Sequence, residues 1–304
     1  MTRMILGALI AALALGAQTR EVAITIDDLP RGGGDRAPLE AAAVREMTAK
    51  LLAPLRGIPV IGFVNACRGS GLGEAGLDGI LAMWVANGAD LGNHTCSHPD
   101  LNTTPFEEYT ADLERGEPAV TRALGHRPVY FRHPFLHTGP VAEKREGLAR
   151  FLAARGYTVA PVTLDNSDWM FAAIYVDALA RKDTALAEKV RREYVPYMES
   201  IFAFFEVRGK EVAGHDFPQI LLIHASRLNA DMMPELLAMM RRRGYRFVSL
   251  GEALRDDAYR LPEAYTGTGG FSWIHRWSKT MGMKPKGEPD EPAWVTAAYG
   301  KLTR

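Results

Sequence analysis

The chain has 304 residues, enough for one large α/β domain or two ordinary ones. Apolar residues make up 47% and charged residues 24%, the proportions of an ordinary globular protein. The formal net charge is zero, so the composition gives no electrostatic argument for binding to nucleic acid or to an anionic membrane surface.

The N-terminus has the pattern of a secretory signal peptide, which we expect to be residues 1–17 and to be cleaved. Arg3 precedes an uncharged run over residues 4–17, and small residues stand near the end of that run. The run is too short to cross a bilayer, which needs about 20 residues. The alternative is a buried or interfacial helix. We expect an exported protein, periplasmic or secreted, without a stable membrane anchor.

Strand-like and helix-like segments alternate after this run. Apolar β-rich runs predict seven strands, at residues 22–26, 60–64, 89–93, 129–132, 157–163, 219–223 and 245–250. Helical patterns lie between them, and this alternation indicates a parallel sheet. Seven such strands predict an α/β fold of the distorted (β/α) barrel type, with the active site at the C-terminal ends of the strands.

We expect a single catalytic domain over residues 21–265. Its largest insertion, residues 170–217, has a mostly helical pattern. Residues 266–304 include three tryptophans and three prolines, and we expect a tail that packs on the domain. The only cysteines, Cys67 and Cys96, permit one disulfide but no disulfide framework, and the sequence leaves their pairing open.

Polar residues that could carry chemistry stand at the ends of the predicted strands. Asp27 and Asp28 end the first strand, His94 and His98 follow the third, and His224 ends the sixth. Because the C-terminal ends of parallel strands share one edge of the sheet, we expect these side chains to converge on one mouth.

His94 and His98 have the spacing H-x-x-x-H, without the glutamate of a zincin motif. Two histidines and one carboxylate, with an open position for water, form a standard catalytic zinc site. One carboxylate of the 27–28 pair could bind such a metal, and the other could stay free as a base. The alternatives are hydrogen-bonded loop histidines and a strand-end turn in which the aspartates cap backbone amides.

Five short motifs stand in order along the chain: TIDD (25–28), HTCSH (94–98), RHPF (132–135), DNSDW (165–169) and LLIH (221–224). Over residues 21–255, their order and spacing resemble the polysaccharide deacetylases, the NodB-homology domain of carbohydrate esterase family four. Each motif is weak alone. Five of them in order, each at a predicted strand end, make a specific pattern.

The resemblance implies a metal-dependent hydrolase that removes N-acetyl groups from amino sugars of a peptidoglycan- or chitin-like polysaccharide. It implies that Asp28, His94 and His98 bind Zn²⁺ or another divalent metal such as Co²⁺. Asp27 would be the general base that activates a metal-bound water, and His224 would protonate the leaving amine.

The resemblance also implies roles for residues of the third and fourth motifs. Arg132 would pair with the base, and the backbone N–H of Phe135 would stabilise the oxyanion. Asp168 would orient the acid, and Trp169 would form an apolar wall near the acetyl group. The sequence departs from the family at Leu136, where glycine is usual, so the shape of this loop is open.

Three further polar residues near the mouth have two interpretations each. His133 and His137 either contact substrate or are loop histidines bonded to the backbone. Asp165 either contacts substrate or supports other residues of its motif. Cys96 lies between the two histidines, but the family pattern does not use that position as a ligand.

The same machinery would also serve an O-acetyl esterase on xylan or an amidase for small non-sugar amides. The mouth formed by residues 30–36, 66–76, 133–140 and 170–217 should discriminate among these substrates. An open groove favours a polymer, whereas a closed pocket favours a small molecule. A catalytically silent carbohydrate-binding protein is less favoured, because every expected catalytic residue is present.

Overall fold

The computed structural model of the chain describes residues 20–32, 34 and 40–303. The expected signal peptide lies outside these residues. Within the described residues, seven strands form one sheet: β1 Arg20–Leu29, β2 Val60–Val64, β3 Asp90–Asn93, β4 Tyr130–Phe131, β5 Thr158–Val159, β6 Gln219–His224 and β7 Tyr245–Phe247.

Helices follow most of the strands and surround the sheet. They are α1 Ala41–Leu52, α2 Gly73–Ala86, α3 Phe106–Leu124, α4 Ala142–Ala154, α5 Asp168–Ala180, α6 Thr184–Ala213, α7 Arg227–Arg242, α8 Leu250–Ala253, α9 Trp273–Thr280 and α10 Ala293–Leu302. In the part of the chain that the structure describes, no helix is both long enough and apolar enough to span a membrane.

The strands lie in the order β5-β4-β3-β2-β1-β6, and β7 pairs with the first residues of β1. Every pairing is parallel. The chain beyond β5 curls round to β6, where the backbone N–H groups of Thr163 and Leu164 donate to the carbonyl of Ile220. The expected distorted barrel of seven parallel strands is therefore confirmed.

Strand β1 is buried on both faces from Val22 onwards, although its apolar run includes Thr25. Val22, Ile24 and Ile26 pack in the large core between the sheet and the helices, whereas Ala23 packs in a smaller core inside the curled sheet. Side chains alternate along a strand, so Thr25 also belongs to the interior side. This alternation brings polar groups of β1 into the barrel beside the motif residues.

The fifth strand differs from the prediction, because only Thr158 and Val159 of residues 157–163 pair as a strand. Ala160 still donates to the carbonyl of Phe131, but Pro161 has no N–H to continue the ladder. The backbone then leaves β4 and reaches β6 at Leu164. The proline therefore marks the point where the sheet closes.

The insertion is helical, as expected, since α5 and α6 span most of residues 170–217. The C-terminal segment carries α9 and α10, and its residues Trp277 and Val295 are buried in the large core. The boundaries proposed for the catalytic domain stay a prediction.

Replacing Ile24 with alanine should lower the free energy of unfolding by about 2–5 kcal/mol, because the cavity left in the core cannot fully collapse. The side chain is 1% exposed at the centre of the sheet. The control Val207→Ala, at a residue that is 62% exposed, should change stability by about 0.5 kcal/mol or less. Urea denaturation measures both, and equal effects would contradict the central position of β1.

Candidate active site and metal centre

The paired aspartates end β1 in a local irregularity of the strand. The register with β2 shifts between Ile26 and Leu29, and Asp28 has a φ of 65°. Aspartate tolerates this left-handed conformation better than most residues. The twist lets both carboxylates line the same cavity, although neighbouring side chains on a regular strand point to opposite faces.

Gly32 lies where the chain folds back over Asp28. A Cβ atom at this position would lie 2.3 Å from the Cβ of Asp28, so only glycine fits. The backbone N–H of Gly32 donates to the carbonyl of Ala225 at 2.7 Å, which fixes the fold-back beside β6.

Asp28, His94 and His98 form a group that could hold a metal ion, with ligand atoms all within 4.8 Å of one another. Asp28 Oδ1 lies 3.7 Å from His94 Nε2 and 3.5 Å from His98 Nε2. The same carboxylate oxygen is buried and has no hydrogen-bond partner. A buried, unpartnered carboxylate oxygen beside two imidazole nitrogens fits a divalent cation such as Zn²⁺.

The protonation of these residues suits metal binding. The Nδ1–H of His94 donates to the carbonyl of Arg132 at 2.8 Å, which leaves Nε2 as the lone-pair donor. Burial lowers the pKa of both His94 and His98, against the opposing effect of the Asp28 carboxylate. The imidazoles are therefore neutral, as metal ligands must be.

The loop that carries the two histidines is held in a strained conformation. Thr95 and His98 have φ values of 66° and 64°, a region that costs energy for residues other than glycine. The Asp112 carboxylate accepts from the backbone N–H groups of Cys96 and Ser97 at 2.8 and 2.9 Å. These bonds hold the strained loop in the conformation that aims both imidazoles at Asp28.

A disulfide between Cys67 and Cys96 adds a covalent restraint to the same loop. The sequence left this pairing open, and the bond shows that Cys96 is not a metal ligand. It ties the histidine loop to the segment after β2, where Arg68 pairs with Asp28 Oδ2 at 2.9 Å. Burial would raise the pKa of Asp28, but the Arg68 guanidinium holds it well below its usual value.

Arg68 is a site residue that sequence reasoning missed. It lines the cavity, and its only signal in the sequence is its position directly after Cys67. A disulfide to Cys96 would have brought it beside the histidines. The motifs did not include it.

Asp27 is buried beside the guanidinium of Arg132, with Nη1 3.3–3.4 Å from the two carboxylate oxygens. Arg132 is fully buried and also donates to the Ala160 carbonyl and to Thr25 Oγ1, each at 2.9 Å. Burial raises the pKa of Asp27 to about 6, against the opposing effects of Arg132 and His224. Asp27 thus differs electrostatically from its neighbour, although both are aspartates in one turn.

His224 lies directly across from Asp27, because the two residues are register partners on β6 and β1. Its Nδ1–H donates to Asp168 Oδ1 at 2.7 Å, and Asn229 donates to the other oxygen of Asp168 at 2.7 Å. Burial would lower the pKa of His224, but the carboxylates of Asp168, Asp28 and Asp27 raise it to about 10. Asn229 is a second residue that the motifs did not reveal.

The third motif forms a tight turn at the rim. Phe135 and Leu136 both have positive φ values, 55° and 54°, so Leu136 adopts the left-handed conformation in spite of its side chain. The Phe135 ring is 52% exposed and packs edge-to-face on His98 at 4.3 Å. The loop shape that the sequence left open is thus a left-handed turn against His98, one of the candidate metal ligands.

His133, His137 and Asp165, whose roles the sequence left open, all line the cavity. His133 is 5% exposed and its Nδ1 has no hydrogen-bond partner. The Nδ1 of His137 lies 2.7 Å from the Asp100 carboxylate. Burial raises the pKa of Asp165 to about 7. Whether any of them contacts a substrate stays a prediction.

The cavity has a volume of about 870 Å³ and brings most of the predicted site together. The predicted site residues on its wall are Asp27, Asp28, His94, His98, Phe135, Trp169 and His224. Arg132 and Asp168 lie directly behind Asp27 and His224. Titratable side chains, the candidate metal-ligand group and aromatic residues therefore lie together in one cavity.

Comparison with solved structures shows that this fold is similar to that of carbohydrate esterase family four. A wild-type pseudoenzyme of carbohydrate esterase family four from Bacillus anthracis superposes with a TM-score of 0.53 and 15% identity, over 78% of this chain and 66% of that one. At this identity the likeness concerns the fold alone.

The sequence profile of the polysaccharide deacetylase family matches residues 16–157. A chitin deacetylase from Colletotrichum lindemuthianum is 25% identical over 64% of this chain and 68% of its own length. A peptidoglycan-N-acetylglucosamine deacetylase from Bacillus cereus is 28% identical over 28% of this chain and 29% of its own. The chain therefore resembles the polysaccharide deacetylase family, with the profile match confined to residues 16–157.

Replacing His94 with alanine should weaken zinc binding by at least about 100-fold. Even the loss of a residue that only hydrogen-bonds a metal ligand lowers metal affinity by about 10–100-fold. Competition with a chromogenic chelator measures the affinity. His126→Ala, at an exposed histidine that bonds the backbone carbonyl of Arg127, is the matched control. Wild-type affinity in the His94 variant would contradict the assigned metal centre.

The double variant Cys67→Ser and Cys96→Ser should bind zinc on the order of tenfold more weakly, because the strained histidine loop loses its covalent restraint. It should also lose roughly 3–4 kcal/mol of stability, the value for a loop closed over a separation of 29 residues. Chelator competition is therefore run well below the unfolding transition, which circular dichroism locates. A zinc affinity within twofold of the wild type would contradict the positioning role.

Proposed function

We propose that this protein is a metal-dependent hydrolase that removes N-acetyl groups from amino sugars of a chitin- or peptidoglycan-like polysaccharide. One observation carries the proposal: the Asp28–His94–His98 group lies in the same cavity as Asp27 on β1 and His224 on the neighbouring strand β6. Amide hydrolysis needs a base for water, charge stabilisation at oxygen and a proton for nitrogen. The chitin and peptidoglycan deacetylases among its relatives support the substrate class.

Asp28, His94 and His98 would hold the metal ion, Zn²⁺ or a related divalent cation such as Co²⁺. When bound, such an ion supplies a Lewis acid to the carbonyl oxygen and to the attacking water. The neutral imidazoles and the unpartnered carboxylate oxygen described above are the features that favour this assignment.

Asp27 serves as the general base in this proposal. Arg132 fixes its carboxylate from behind, and the carboxylate faces the cavity beside the metal-ligand group. The guanidinium is itself held by Thr25 and the Ala160 carbonyl, so it cannot turn away when Asp27 accepts a proton from water.

His224 serves as the general acid. Its Nδ1–H is committed to Asp168, so Nε2 is the nitrogen left to deliver a proton to the leaving amine. Asn229 bonds both the Asp168 carboxylate and the His224 carbonyl, which fixes this pair in one orientation. The backbone N–H of Phe135 would stabilise the oxyanion, and Trp169 would pack against the acetyl group.

An O-acetyl esterase or an amidase for small non-sugar amides would use the same groups. An alcohol is a better leaving group than an amine and depends less on a proton donor. His224→Ala should therefore lower activity on an amide more than on an ester. A silent binding protein is the remaining alternative, and a pseudoenzyme among the similar structures shows that it must be tested.

We also propose that the protein is exported, on the basis of the N-terminal pattern alone. Mass spectrometry of the mature protein should find a chain that begins after residue 17. A mature protein that retains residues 4–17 would contradict export through a cleaved signal peptide.

Acetate release tests the proposed function directly. The zinc-loaded protein should release acetate from N-acetylglucosamine oligosaccharides or peptidoglycan, and a chelator should abolish the release. Acetylxylan and a simple acetanilide represent the two alternatives. Full activity of the metal-free protein would contradict the proposal, and inactivity on every substrate would favour the silent protein.

Asp27→Asn should lower kcat by about 10²–10⁴-fold, the usual contribution of a general base. Zinc affinity should stay close to that of the wild type, because this carboxylate is assigned as base and not as ligand. Asp257→Asn, at an aspartate whose side chain is 86% exposed, is the matched control. A parallel loss of zinc in the Asp27 variant would instead make Asp27 a ligand.

A further inference from the structure

The C-terminal segment, residues 266–303, forms one wall of the active-site cavity. Gly270, Glu288 and Tyr299 line the same space as Asp27 and His224. The sequence predicted only a tail that packs on the domain, and none of the five motifs lies in this segment. The site is thus built from more of the chain than the motifs cover.

One end of the segment is anchored to the turn of the third motif. Arg276 is fully buried, and its guanidinium donates to Thr138 Oγ1 at 2.6 Å and to the carbonyl of Leu136. Gly270 packs directly on this turn, since a Cβ atom there would lie 1.8 Å from the Phe135 carbonyl oxygen. The C-terminal wall and the turn of the third motif therefore pack together as one unit.

The segment also contacts the fourth motif and the chain just before that motif. Ser272 Oγ donates to the Thr163 carbonyl at 2.8 Å, and Ser167 Oγ bonds the Glu291 carboxylate. The Tyr299 ring packs edge-to-face on Trp169, with ring centroids 4.9 Å apart. These contacts close the space between α10 and α5 beside the predicted acetyl-binding tryptophan.

The size of the cavity indicates what it accommodates. Its volume of about 870 Å³ falls within the range of about 300–1,000 Å³ that is typical of small-molecule sites. Trp169 and Tyr299 form part of the wall of this cavity and pack against each other. Because the wall is bonded to two motif loops, it is part of the folded site and not a loose cover.

On the basis of the function proposed above, we propose that residues 266–303 end the saccharide-binding cleft. The preferred substrate is then a short N-acetylated oligosaccharide, or the terminal sugar of a chain, and not an internal sugar of a long polymer. Tyr299 and Trp169 are the specificity-determining residues at this end. Tyr299 offers the sugar an aromatic face and a hydroxyl group.

A chain-length series tests this proposal. We expect kcat/KM of the zinc-loaded wild type to change by less than about twofold between the trimer and the hexamer of N-acetylglucosamine, because added sugars find no further subsite. Mass spectrometry of the partly deacetylated hexamer should locate the free amine at one chain end. A tenfold rise in kcat/KM from trimer to hexamer, with internal deacetylation, would overturn the proposal.

Two variants of Tyr299 test the wall itself. Tyr299→Ala should raise the hexamer-to-trimer ratio of kcat/KM by about fivefold or more, because it opens the closed end. Tyr299→Phe keeps the ring and should keep the wild-type ratio. Thr296→Ala, at an exposed residue of the same helix, controls for a general effect on α10. An unchanged ratio in a folded Tyr299→Ala protein would show that the wall does not set chain length.

The result also separates this inference from the function on which it rests. If no saccharide of any length releases acetate, the proposed function fails and this inference fails with it. If acetate is released and the rate grows with chain length, the function stands and only the inference about the wall is overturned.

Discussion

The buried guanidinium of Arg132 is the interaction on which the rest of the site depends. Its side chain holds Asp27 and bonds to β1 and to the segment after β5, while its carbonyl accepts the Nδ1–H of His94. One residue thus orients both the proposed base and a candidate metal ligand. A buried charge of this kind is stable only when it is fully paired, which ties the integrity of the barrel interior to that of the site.

Around this charge the protein fixes each functional side chain from a different direction. Parallel pairing of β1 with β6 places Asp27 opposite His224. A disulfide and the Asp112 carboxylate hold the histidine loop in a conformation that its residues would not adopt alone. The C-terminal segment holds the turn of the third motif through Arg276. The site is therefore preorganised by three separate parts of the chain.

Much of this was readable in the sequence. Apolar β-rich runs predicted the strands at residues 60–64 and 219–223, which are buried throughout, because strands covered on both faces need apolar residues. Polar residues at the strand ends then indicated where the site lies, and the five motifs indicated which residues it contains. The short fifth strand was mispredicted because Pro161 breaks the hydrogen-bond ladder while its neighbours remain apolar and β-prone.

The sequence by itself therefore determined the fold class, the family resemblance and the Asp28–His94–His98 group, since each is recorded in local patterns or in motif order. Only the tertiary structure decided the pairing of Cys67 with Cys96 and the contacts of Arg68, Asn229 and Tyr299. These residues come from segments far apart in the chain, and no periodicity or motif records which of them meet. Their positions depend on how the helices and the C-terminal segment pack around the barrel, which is a property of the whole fold.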